Sequence, residues 1–543
     1  MPIDALTRRR WLFIAAGGVL SACGGGGDSA PPPPATGLPT LPRPPVVPVD
    51  GPAWSGFAGD AQHSALAQIA AQNIVGFYWY TPIDLVPDLS SGELLTHYGS
   101  PVITRHNTVL VPVKTGLANG FRVDARVGAT GDLMWSLTSD YILPPHRWIP
   151  SFNPVLTQPN SGLSSRLFMP ASGGRVLVRV NPDAASGATG TLTFYDNNNT
   201  IYPADPAAYD ATVFINTPLT TDAAGNVFFG FTVTGNNPAG PVNGGLARIG
   251  ANGVGSFVTA TSATGNATFV KTMTNSAPAL SSDGSTLYVV FNSVVPANAI
   301  ATGRLVALDA TTLVTKNQVA LNDPATGAPA WVSDDATSSP LVGPDGDVYI
   351  GVLESNAPGH NFRGWLLHFN AALNVKTPGA FGWDNTPSIV PKAMVPQYTG
   401  TSSYLLLTKY NNYLVAGGTG DGKNRVAILD PNNLTQADPV NGVVTVMREV
   451  LTALGPTPES GGPAGAVREW CVNTAAVDPF TNSVLINSED GILYRWHLPS
   501  GNNAFTEQIT LNSGVAQSYT PTVIGPDGRI YAVNNAILHS IGQ

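Results

Sequence analysis

The sequence predicts an all-β fold, a ring of eight four-stranded antiparallel blades (a β-propeller), with seven blades as the alternative count. Three observations predict it: a composition poor in charge and rich in turn residues, one phrase that returns eight times, and a mismatch between the chain ends that a closed ring repairs. Charged residues make up 11% of the 543, well under the usual quarter, while Gly (58) and Pro (47) are abundant. Helices would need Glu, Lys and Arg on their outer faces, so this composition points to short strands joined by turns.

The phrase is a short polar stretch, a Pro or Ala opening an apolar strand, a Gly- or Asn-containing turn, and a β-branched or aromatic strand. Its sharp copies are SAPALSSDGSTLYVV (276–290), SSPLVGPDGDVYIGV (338–352) and TPTVIGPDGRIYAV (520–533). Weaker copies start at Ser100, Asn153, Thr217, Thr386 and Asn473. Asp-Gly between alternating apolar residues is a strong hairpin signal, and it leads one to expect positive φ at both turn residues. Third strands follow in GRLVALDATTL (303–313), GWLLHFNAALN (364–374) and NRVAILDPNNL (424–434), and a fourth in DLMWSLT (132–138). Four strands per repeat describe blades. The last repeat stops after its third strand, at ILHSIGQ, while NIVGFYWYTPI (73–83) precedes the first repeat without a blade of its own. If it supplies the missing strand, the two ends latch the ring and no long edge is exposed.

Ahead of the propeller (53–543), residues 1–22 read as a signal peptide, with Arg8, Arg9 and Arg10 before an apolar run too short to span a bilayer. The run ends in Leu20-Ser21-Ala22-Cys23, which resembles a bacterial lipobox, so Cys23 is expected to carry the lipid and tether the protein to a membrane. Thr7 to Leu12 also resembles a twin-arginine signal, which leaves both export routes open. Gly24 stands where an Asp would resemble an inner-membrane retention signal, so the expected address is the outer membrane. Residues 23–52, Gly- and then Pro-rich, read as a flexible tether at about 3.1 Å per residue.

Without Asp4 and the three arginines of the leader, the formal charge goes from −9 to −11. That repels phosphate backbones and excludes nucleic acid as the expected partner. The only other cysteine is Cys471, expected to be a small buried residue. One remaining thiol excludes a disulfide framework, a multi-cysteine zinc site and CxxCH haem attachment.

The phrases resemble the quinoprotein-like propeller superfamily, built on pyrroloquinoline-quinone-type repeats. The residues that carry the resemblance are WSGFAGDAQHSA (54–65), RVDARVGATGDLMWS, LVALDATTL and the strand-Asp-Gly-strand phrase. As an envelope lipoprotein the chain is also similar in architecture to the propeller scaffold of the outer-membrane β-barrel assembly machinery. The resemblance implies a quinone held against two adjacent cysteines, with calcium on Glu, Asn and Asp. Here no two cysteines are adjacent and no calcium ligands fall at matching positions, so no cofactor is expected.

The segments that lead into each inner strand hold unusual charge and aromaticity: His97, His146-Arg147-Trp148, Asp334-Asp335, Trp383-Asp384, Arg468-Glu469-Trp470, with Tyr98 and Tyr519 beside them. Inner strands all start on one face of a propeller, so these residues are the candidate binding funnel. Arg147 and Arg468 suit a carboxylate or phosphate, and the tryptophans suit rings or sugars. Structural ion pairs and inter-blade packing explain the same residues equally simply. No metal site is expected: His360 and His368 share a strand side but have no further ligands nearby. GGTGDGKN (417–424) reads as a hairpin loop and DPNNLTQADPVNG (430–442) as a turn. No serine-nucleophile elbow appears. The expected function is a binding or scaffold module for an envelope protein or small molecule, and the alternative is a propeller enzyme, including a divergent quinoprotein.

Overall fold

Every copy of the phrase opens the innermost strand of a sheet. Those strands are Val102–Ile103, Val155–Thr157, Thr220–Thr221, Ala279–Leu280, Leu341–Val342, Ser388–Pro391, Ala476–Asp478 and Val523–Ile524. The computed structural model describes residues 39–88, 98–145, 152–157, 165–293, 301–332, 338–415, 417–512 and 518–543. Within them the strands form eight antiparallel sheets in chain order, numbered here as blades 1 to 8. In blades 3 and 4 a further short strand, Val213–Ile215 and Phe269–Thr272, extends the inner edge.

Apolar residues at alternate positions bury each sheet against both neighbours, as in Thr108–Lys114 and Ile530–Asn534, which are buried throughout. No helix among the described residues is long and apolar enough to cross a membrane. The longest connection helix, Pro206–Thr212, is capped by Asp205, whose side chain accepts from the Ala208 N–H.

Blade 5 has three strands, and its outer edge is covered rather than bare. Isolated bridges join Leu366 to Gly379 and Phe369 to Val375. The long hairpin of blade 6, Arg425–Ala437 with Thr445–Leu454, leans across and donates Met447 N–H to the Pro378 carbonyl at 2.8 Å. Three details depart from the sequence reading. Residues 430–437 belong to a strand, because Asp430 takes the N–H groups of Asn432, Asn433 and Leu434 and folds the excess chain into a bulge. His360 and His368 do not share a strand side: the strand begins only at Trp365, and the two pair with different acids, Asp438 and Asp347, each at 2.9 Å. In the Asp-Gly turns only Gly284, Gly346 and Gly528 have positive φ. The Asp keeps an ordinary backbone and accepts from the N–H two residues on, as Asp283 does from Ser285 at 3.0 Å.

Blade 8 takes its outer strand from the other end of the chain. Gly76–Pro82 pairs antiparallel with Ile537–Gly542, from Gly76 opposite Gly542 to Pro82 opposite Ile537. Trp79, within this strand, packs toward blade 1, its Nε1–H donating to the Gly128 carbonyl at 2.9 Å.

The segment expected to be free tether up to residue 52 is docked from residue 39 onward. Phe77 N–H donates to the Pro39 carbonyl (2.9 Å), Leu41 N–H to Phe77 (2.8 Å) and Gly51 N–H to Arg105 (3.0 Å). Arg43 pairs with Asp132 and Arg105 with Asp50. Proline removes a donor but leaves its carbonyl, and the Pro39 carbonyl covers the outer edge of Gly76–Pro82 at Phe77.

Residues 54–72 then run along the inward edges of the blades. Trp54 exchanges both backbone hydrogen bonds with Ile103 at 2.9 Å. The carbonyls of Ser55, Ala61, Gln62, Ser64 and Ala65 accept from Leu156, Leu280, Val342, Ile389 and Val477, the inner strands of blades 2, 4, 5, 6 and 7. Gln72 N–H reaches Gly528 of blade 8 at 2.7 Å. Positive φ at Ala58, His63 and Ala65 lets the chain turn from blade to blade. Blade 3 is bridged by side chains instead: Thr221 Oγ1 donates to the Leu156 carbonyl and Thr220 Oγ1 to that of Pro278.

Trp79→Ala should lower stability by about 3–5 kcal/mol, since it empties a packed site on the ring-closing strand. Deleting residues 24–38 should leave the melting temperature unchanged. Thermal unfolding of both variants checks the pair, and equal losses would contradict the assignment of Gly76–Pro82 as the structural closure.

Candidate functional site

In an antiparallel blade the inner strand starts, and the second strand ends, on the same face. That face therefore collects two sets of side chains: those leading into inner strands, and those closing second strands. In blades 6 to 8 the two sets meet. Asp384 precedes the inner strand of blade 6, and Lys409 ends its second strand, Tyr404–Lys409. Both are buried, with Lys409 Nζ 3.7 Å from Asp384 Oδ2 and donating to the Asp384 carbonyl at 3.2 Å. Positive φ at Asp384 turns its backbone toward the ammonium. Lys409 Nζ also lies 5.6 Å from the ring centre of Phe381 and 5.9 Å from that of Tyr519, the residue leading into blade 8.

From Tyr519 the contacts continue into blade 7. Tyr519 donates its hydroxyl to Cys471 Sγ at 3.2 Å, and the thiol donates to Glu489 Oε2 at 2.8 Å. Glu489 follows the second strand of blade 7, Ser483–Asn487, as Lys409 closes that of blade 6. Glu469, half-buried, brings its carboxylate to the same place, so that Glu469, Cys471 and Glu489 each offer a donor atom within 4.8 Å of the others. Asn411 fixes the loop behind them by bonding both the N–H and the carbonyl of Trp470 at 3.1 Å.

Chemically this is a buried ammonium–carboxylate pair beside a thiol held between a phenol and a carboxylate. A carboxylate accepting the thiol proton is a local base for it. Thiolate and carboxylates together suit a borderline cation such as zinc, one ligand short of a closed four-coordinate site.

Of the residues expected at a funnel, Asp384 and Glu469 belong to this connected group. Trp383 is half-buried and packs on the hydrophobic cluster of blades 4 to 6. Arg468 is half-buried in the loop before blade 7, its N–H donating to the Thr457 carbonyl at 2.9 Å. Trp470 departs from the expectation of a stacking wall. It is 1% exposed and lies in the core of blades 6 and 7, its ring centre 5.6 Å from Tyr494 and 6.0 Å from Phe505. Alternation along Glu469-Trp470-Cys471 sends the outer two to the face and the middle one inward. His97, His146, Arg147, Trp148, Asp334 and Asp335 lie outside the described residues. Lys409 and Glu489 are not in the leading segments from which the funnel is read, although the second-strand ends in TKY (408–410) and NSEDG (487–491) reach the same face.

These features define an eight-bladed propeller with an ionisable sector on its upper face. No family model and no curated protein matches the chain. Among solved structures it is similar to the quinohemoprotein alcohol dehydrogenase of Comamonas testosteroni, with 11% identity, 91% of this chain and 81% of that one covered, and a TM-score of 0.50. It is also similar to a europium-containing methanol dehydrogenase, with 10% identity, 89% of each chain covered and a TM-score of 0.51. At such identity the likeness establishes the fold alone.

Among the described residues, those of this sector do not fit a quinone with calcium. Calcium takes six to eight hard oxygen ligands, whereas here a thiol sits between the two carboxylates and Asp384 is committed to Lys409. No second cysteine lies next to Cys471.

Lys409→Ala should cost about 3–5 kcal/mol, because it leaves the Asp384 carboxylate buried without its cation. Cys471 should react with a thiol reagent only as fast as the native state opens, which labelling kinetics across a denaturant series would measure.

Proposed function

We propose that this chain is an outer-membrane-anchored lipoprotein whose propeller is a binding module. In this reading it captures a small polar molecule, or a side chain of an envelope partner, at the sector of blades 6 to 8. One observation carries the reading: Asp384, Lys409, Glu469, Cys471, Glu489 and Tyr519 come from three blades and separate parts of the sequence, yet form one connected polar group. A chain that is 11% charged concentrates ionisable groups there, where burial strengthens each electrostatic contact. The opposite stretch of the ring axis is occupied by residues 54–72, so a ligand approaches from the upper face.

Anchoring through Cys23 adds reach. The Gly/Pro segment that remains ahead of residue 39 holds the propeller off the bilayer, with the sector open to an envelope partner. The similarity in fold to alcohol dehydrogenases favours a second reading, a divergent quinoprotein, against which the donor set at this face speaks.

Two experiments test the proposal. Cys23→Ser should move the protein from the membrane fraction to the soluble one, and retention after a salt wash would sink the anchoring. A photo-crosslinking residue at Trp383 should trap a discrete product in the native envelope, while the same probe at exposed Val314, in a turn on the opposite face, should not. Equal yields at both positions would contradict a specific site. Alcohol-dependent dye reduction with added pyrroloquinoline quinone and calcium would promote the second reading.

A further inference from the structure

The ring closure holds a histidine in an unusual setting. His539 lies in Ile537–Gly542, opposite Tyr80 of the N-terminal strand on one side and Ala532 on the other. It is fully buried, and neither ring nitrogen has a hydrogen-bond partner. Its surroundings are aromatic, with the rings of Phe77 and Tyr80 centred 5.4 and 6.4 Å away. The carbonyls of Ala532 and Ile537 act in favour of a charge but less than burial acts against it, and they do not meet hydrogen-bond geometry.

The titratable groups around this site offer no counter-charge. On the N-terminal strand the nearest is the Tyr80 phenol. On blade 7, Arg495 pairs with Glu507 at 2.8 Å and lies 3.8 Å from Asp478, and Asp490 accepts the hydroxyls of Thr457 and Tyr494. No ion pair to His539 exists among the described residues.

We propose that His539 makes the closure of the ring acid-labile: when its imidazole takes a proton, the strand Gly76–Pro82 peels away from Ile537–Gly542 while the other blades stay folded. A cation in this setting has no partner, and detaching the strand admits water to it. The device is local, because only the N-terminal strand, with the short segment docked on it at Phe77, separates the histidine from solvent on that side of the sheet.

The pH window follows from linkage. Burial lowers the His539 pKa to about 4, against 6.5 once the ring is exposed. The neutral ring thus contributes its full share to the closure above pH 6.5. That share is lost as pH falls from 6.5 toward 4, and no more is lost below. At pH 5 the detached strand should be favoured about thirtyfold over neutral pH.

Buried His63, on the segment along the ring axis, also has its pKa lowered to about 4 by burial. Next to it the half-buried Asp60 carboxyl is raised by desolvation, which has the opposite sign with pH. Its effects fall on the amides of residues 54–65, not on those of the closing strand.

Hydrogen exchange read as protection factors tests the proposal. Between pH 7.5 and 5.0 the amides of residues 76–81 should lose about thirtyfold in protection, while those of Val227–Val233 in blade 3 hold theirs. His539→Phe, which fills an aromatic site with an aromatic ring, should abolish the loss, and His539→Leu serves if the Phe variant fails to fold. An equal loss in both strands of the wild-type protein, or a loss that persists in the substituted protein, would overturn the proposal.

Discussion

A propeller has one unavoidable weakness, the inward edges of its innermost strands. Eight strands point unpaired N–H and C=O groups at a common axis, and each group left without a partner costs about 1–3 kcal/mol. Here the chain itself supplies the partners. The carbonyls of residues 55 to 65 meet the N–H groups of Leu156, Leu280, Val342, Ile389 and Val477 in turn, and Trp54 closes both bonds with Ile103. A segment that touches seven blades can do so only when all are in register. It therefore couples blades that are otherwise neighbours only pairwise, and it turns a stack of sheets into one cooperative ring.

The same constraint explains why each repeat begins with a polar stretch. Just above the segment on the axis, short hydroxyl and amide side chains, together with backbone groups of the same residues, tie neighbouring blades to one another. Ser100 N–H takes Asn153 Oδ1, Asn275 N–H the Asn216 carbonyl, and Ala277 N–H takes Ser339 Oγ. Ser339 N–H takes Thr386 Oγ1, and Thr386 N–H the Asn473 carbonyl. Thr520 Oγ1 donates to the Tyr98 carbonyl and ties blade 8 to blade 1. Ser, Thr and Asn serve because their short side chains can pair with backbone at close range, and the Pro or Ala that follows opens the strand.

This is why the fold was legible in the sequence. The phrase encodes both the inner strand and the inter-blade hydrogen bond, so its eight starts locate the eight blades directly. Composition misled where it speaks of tendency rather than contact. The Pro-rich segment 39–52 reads as solvated, yet proline carbonyls are good acceptors, and Pro39 pairs with Phe77. The site was half legible for a similar reason. Residues leading into inner strands can be counted from the phrase, which found Asp384 and Glu469. Which way a loop residue points cannot be counted, so Trp470 was placed on the face although it lies in the core. Lys409, Cys471 and Glu489 become partners only through contacts between separate strands.

The ring is nearly symmetric in backbone but not in chemistry, and a comparison of equivalent positions indicates where function resides. Lys114 ends the second strand of blade 1 as Lys409 ends that of blade 6. Lys114 Nζ reaches both oxygens of Asp84 at 3.0 and 3.1 Å and the Val86 carbonyl at 2.6 Å, while Tyr98 donates to the same carboxylate at 2.8 Å. An ammonium with three acceptors is a strut: its three donors are used and it has nothing left to offer a ligand. Lys409 donates to the Asp384 carbonyl at 3.2 Å and stands 3.7 Å from the Asp384 carboxylate, and it faces the phenol of Tyr519, which in turn bonds the thiol held by Glu489. Equivalent lysines in one fold thus sit in two different chemistries. The close pair secures the junction between blades 8 and 1, where the chain ends meet. The other is linked through Tyr519 to a thiol and carboxylates whose protons and charges can be redistributed when something binds, which is the property a recognition site requires and a strut does not.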